Sequence, residues 1–90
     1  MNRLVSDYPQ DVSVWKMRAN MEWEHGQLDA ALYDLDEVLK LDARDAASYV
    51  MKGDIYLEQK KKSDAREAYE KAITFGVSRA ELLEKLKQCK

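Results

Sequence analysis

Apolar positions along the chain recur every three or four residues, interrupted at short polar turns. Leu28, Ala31, Leu32, Leu35, Val38 and Leu39 share one face if residues 28–40 are helical. The same reading predicts helices over 12–24, 46–59, 63–75 and 79–88. "HGQ" after residue 24 and "LDARD" after residue 40 supply the turns. Gly26 and Gly76 stand where a chain leaving a helix needs positive φ. Ser63 is placed to cap the fourth helix. Ser78, with Glu81 three residues on, reads as a capping box for the fifth. Leu82, Leu83 and Leu86 form the one apolar stripe of that last segment. The fold class is all-α.

The helices come in two copies. Shifted by 34 residues, Trp15 falls on Tyr49, Met17 on Met51, Ala19 on Gly53 and Glu24 on Glu58. In the second helices Ala31 falls on Ala65, Leu35 on Tyr69, Val38 on Ala72 and Leu39 on Ile73. Large residues meet large ones and small meet small, which a shared helical period alone does not require. Two antiparallel helices that approach closely need Ala or Gly at the contact, with a bulky group opposite. A single helix pair cannot bury its apolar face, so such pairs stack. The repeats are predicted at 12–45 and 46–78, with 79–90 as a capping helix whose outer face is wet.

This pattern resembles the tetratricopeptide repeat over nearly the whole chain. Trp15 and Tyr49 match its large residue early in the first helix, and Ala19 and Gly53 the small residue four places on. Tyr56 matches the aromatic that follows; Glu22 departs from it. Gly26 matches the turn glycine, which the second unit replaces with Lys60. Ala65, Tyr69 and Ala72 fit the second-helix pattern, while Val38 is larger than the pattern asks. The family's inter-unit proline falls on Pro9, so residues 1–9 read as the remnant of a preceding repeat helix, with Leu4 and Val5 at the places of Val38 and Leu39.

The resemblance implies an α-α superhelix, a solenoid of antiparallel helix pairs whose first helices line a concave groove. Lys16, Met17, Asn20 and Trp23 of the first unit, and Met51, Asp54, Leu57 and Glu58 of the second, are the candidate groove residues. Trp23, Leu57, Met17 and Met51 are apolar on a face that should be wet, which marks either a partner contact or extra core packing. Some tetratricopeptide domains clamp a C-terminal carboxylate of chaperone tails with Lys and Asn side chains. Lys16 and Asn20 match the first pair of that clamp, but Met51 and Glu81 replace two later members, and Lys85 stands in for an Arg. An acidic Glu81 repels a carboxylate, so this ligand is not expected.

Composition narrows the chemistry. With 15 Lys and Arg against 17 Asp and Glu, the chain has no electrostatic footprint for nucleic acid. The run Lys60–Lys62 lies among Glu58, Asp64 and Glu67 and reads as a solvated turn. No apolar run reaches the roughly 18–20 residues that span a bilayer. His25 is the one histidine and Cys89 the one cysteine, and neither has a partner at metal or nucleophile spacing. No cofactor, metal or catalytic role is expected. The expected function is a non-catalytic protein-interaction module that takes a peptide or partner helix in the groove. The rival is a structural spacer or self-association segment, including a homodimer through the N-terminal end.

Overall fold

A computed structural model describes residues 12–89, and the chain divides after Ala43 into two compact units. The expected remnant helix at 1–9, with Leu4, Val5 and Pro9, lies outside the described residues.

The first unit is a helical hairpin. Helix α1 runs Val12–Glu24 and α2 runs Leu28–Leu41. Ala31, Leu35 and Val38 return at helical spacing along α2 and are fully buried against α1, which contributes the buried Ala19. Val38 is thus accommodated, despite its size. The turn between the helices is a Schellman motif: Gly26 N–H bonds to Trp23 O at 3.0 Å, and Gln27 N–H to Glu22 O at 2.7 Å. Gly26 supplies the φ of +79° that this closure demands.

The second unit has three helices: α3 over Ala46–Glu58, α4 over Lys62–Thr74 and α5 over Arg79–Gln88. Its core joins Ala65, Tyr69 and Ala72 of α4 to Leu82 of α5 and to Cys89. Tyr49, Tyr56, Ile73 and Leu86 pack partly buried around them. Tyr49 also stacks on Phe75, ring centroids 5.6 Å apart. Gly53 is buried because Tyr69 crosses it; a Cβ there would stand 2.7 Å from Tyr69 Cδ1 and Cζ. The small-beneath-large rule read from the repeat is therefore a direct contact in this unit.

Two expectations need correction. Ser63 does not cap α4, because the helix starts earlier, at Lys62, with Lys61 in the N-cap position and no side-chain cap bond. The cause is the preceding turn. Lys60 adopts φ +63°, and Lys60 N–H bonds to Leu57 O while Lys61 N–H bonds to Tyr56 O at 2.8 Å. This is the Gly26 closure repeated without a glycine, and it sets the next helix's first turn. Leu83 is also not part of the buried stripe of α5: Leu82 is buried and Leu86 half-buried, but Leu83 is 47% exposed. The predicted Ser78 cap does form, its hydroxyl accepting from Ala80 N–H at 3.2 Å.

Candidate functional site

On α1, the repeat phase points Trp15 and Ala19 inward and leaves a second stripe outward. Along that stripe Met17 is 66% exposed, Asn20 is exposed, and Lys16 and Trp23 are half-buried. Met21, one turn beyond Met17, is exposed as well and extends the apolar surface. Its signal was in the sequence, since a residue four places after Met17 lies on the same face. Next to this stripe, on the inward side, Arg18 sits over the Trp15 ring, 5.5 Å from its centroid.

Arg18 leads to a buried acidic pair. Its Nε stands 3.5 Å from Asp34 Oδ2 of α2, and Asp34 is 1% exposed. Glu22, one turn after Arg18, shares a hydrogen bond with Asp34. Burial pushes the Asp34 carboxyl up to about 7, with the Glu22 bond and the Glu22 and Glu37 charges adding to the rise and Arg18 opposing it. Two carboxyls in one pocket hold a proton between them more easily than two charges. In the second unit the same places hold Tyr56 and Ala68, an aromatic beside a small residue. The departure at Glu22 is therefore half of a paired exchange, whose other half is Asp34.

On α3, Met51, Asp54 and Leu57 are half-buried and Glu58 is exposed. Leu57 packs against the core of the second unit. Asp54 is held from two sides. The Tyr69 hydroxyl donates to Asp54 Oδ1 at 2.6 Å, and Lys85 Nζ of α5 donates to the same oxygen at 2.7 Å. Burial, then the bond to Asp54, raises the Tyr69 phenol far above its ordinary range, so it stays a donor. Lys85 is thereby committed to Asp54 and does not serve as a stand-in for a clamp arginine. No periodicity links residues 54 and 85, so this partnership was not readable from spacing.

The eight predicted residues thus lie four on each unit. On the first, Met17 and Asn20 are exposed and Lys16 and Trp23 half-buried; on the second, Leu57 and Asp54 also belong to the packing. A family model described as a tetratricopeptide repeat-like domain matches residues 8–90. The chain belongs to the tetratricopeptide repeat-like family. Comparison with curated proteins gives no match. Tetratricopeptide repeat-like domains are helical-repeat modules of protein interaction, and the departures at Glu22 and Lys60 are local variations within that frame. Among the described residues, no helix of this tetratricopeptide repeat-like chain is long and apolar enough to cross a membrane.

Proposed function

We propose that the chain is a non-catalytic interaction module that holds a peptide or a partner helix on the exposed face of α1 in the first unit, with the corresponding face of α3 a second such surface in the other. The observation that carries this reading is on α1: two exposed methionines one turn apart, Met17 and Met21, with the half-buried Trp23 at the edge of the exposed surface, between Asn20 and Ala19 around the helix. Tryptophan gives large contact area at low entropic cost, and methionine adapts its shape to the partner. Met17 and Trp23 supply apolar anchoring on α1; on α3 Met51 does so, with Leu57 as a floor already seated on the core of that unit. Lys16, Asn20 and Glu58 set orientation from the rim. Asp54 contributes one carboxylate oxygen at most, since Tyr69 and Lys85 occupy the other.

The test is affinity capture with wild-type bait beside Trp23→Ala, Met17→Ala and Met51→Ala baits, followed by titration of whichever partner is retained. Trp23→Ala is expected to weaken that partner at least tenfold, roughly 1.4 kcal/mol or more. If all three folded variants retain the partner as the wild type does, the assignment of this face is wrong.

A further inference from the structure

The face of α5 turned away from the core is open. Between α4 and α5 runs a groove of about 260 Å³ lined by Arg66, Glu70, Arg79, Leu83, Leu86 and Lys87. Leu83 lies 34 residues after Tyr49, the repeat position that carries the large packing residue of each first helix. Tyr49 is covered by Phe75 and the core, whereas Leu83 remains 47% exposed. The groove therefore has an apolar floor, Leu83 and Leu86, at the repeat position that is covered in the preceding helix pair.

Its rim is basic: three cations against one carboxylate. Arg66 bonds to Glu70 at 3.2 Å and Lys87 lies 3.7 Å from Glu84, both exposed pairs that solvent weakens. The charge of the whole chain is split in the same sense. Residues 44–90 carry eleven Lys and Arg against eight Asp and Glu, a formal +3; residues 1–43 carry four against nine, a formal −5. An acidic helix with one exposed apolar anchor is what this groove fits.

The chain itself bears such a helix. On α2 the exposed Tyr33 is 61% accessible, with exposed Asp29 four residues before it and Asp36 three residues after it on one stripe. Lys40 continues that stripe and pairs with Glu37 at 3.0 Å, an exposed pair of the kind solvent weakens. We propose that a second copy of this chain seats its α2, through Tyr33, Asp29 and Asp36, in the α4–α5 groove of the first. Tyr33 covers Leu83 and Leu86, and the two aspartates meet Arg79 and Arg66. The contact joins two different surfaces, so it is head-to-tail and extends from copy to copy unless the rotation closes a ring. It uses neither Trp23 nor Met17, so it stands or falls separately from the groove on α1.

Sedimentation equilibrium from micromolar to high micromolar concentration tests it, with Arg79→Glu and Asp36→Arg made separately. Both positions are on exposed surface, and circular dichroism checks that each variant is folded. The wild type is expected to associate progressively and to dissociate as salt rises. Each reversal should weaken association about tenfold or more. Mixed together, the two variants should associate again, because the intact groove of one meets the intact α2 of the other. Leu83→Asp and Tyr33→Ser should behave as the same complementary pair. A wild type that stays monomeric throughout overturns the proposal, as does association that neither reversal changes, or a mixture that fails to pair.

Discussion

The ring of Tyr69 lies directly on the backbone of Gly53, leaving no room for even one methyl group. The corresponding pair in the first unit, Ala19 and Leu35, trades a larger small residue for a smaller large one, and both are fully buried. Gly53→Ala should therefore destabilise the second unit by about 1–3 kcal/mol through overpacking, despite the better helix propensity of alanine. Adding Tyr69→Leu should recover part of that loss. Urea melts of both singles and the double measure the coupling; additive losses would show that the two residues do not compete for one space.

Asp54 keeps the fully buried Tyr69 hydroxyl paired. Asp54→Ala leaves that donor without its acceptor and should cost about 1–3 kcal/mol. Tyr69→Phe, which removes the hydroxyl and keeps the ring, should cost less. Lys85→Met, at a partly exposed ion pair, should cost under about 1 kcal/mol. A Tyr69→Phe loss as large as that of Asp54→Ala would mean that Asp54 stabilises the fold by other contacts. Any partner-binding loss in Asp54→Ala must then be read against its stability.

Lys60 holds a left-handed conformation that Gly26 and Gly76 adopt without strain. Lys60→Gly should raise stability by up to about 1 kcal/mol, seen as a higher thermal midpoint. Lys60→Val should lower it by more than that. An unchanged or lower midpoint for the glycine variant would show that the lysine side chain itself supports the turn.

Asp34 gives the first unit a pH dependence whose sign follows from its shift. Its ordinary value is 3.8 and its folded value about 7. Between those limits the folded chain keeps a proton that the unfolded chain has lost. Stability from this site is therefore greatest at low pH, falls as pH climbs from about 4 to about 7, and is flat above. The full loss is on the order of 4 kcal/mol, with Arg18 and the Glu22 and Glu37 carboxylates setting its shape. Asp34→Asn, which mimics the protonated acid, should remove that slope and be the more stable protein at pH 8. Parallel slopes in variant and wild type would place the titration elsewhere.

Much of the fold was legible because two periods coincided. The helical period located α1 to α5 within one or two residues, and the 34-residue period paired Ala19 with Gly53 and Leu35 with Tyr69. Capping was less legible. Ser63 has the right chemistry for an N-cap, but the geometry of the preceding turn at Lys60 fixed where α4 begins. Leu83 shows a second limit: its type and spacing are those of a core residue, and only the cover above it differs. For the candidate site, exposure of Met17 followed from phase alone. The ties from Asp54 to Tyr69 and Lys85, and from Glu22 to Asp34, did not, because they join residues on different helices whose spacing carries no chemical pattern.

The thiol of Cys89 ends α5 tucked inside, its Sγ bonded to Lys85 O at 3.4 Å and its acidity lowered by burial. Burial and this bond should make a small alkylating reagent react slowly unless the last turn unwinds. The chain thus carries a native stopwatch: the rate of carbamidomethylation, followed by mass, reads how often its C-terminal helix lets go.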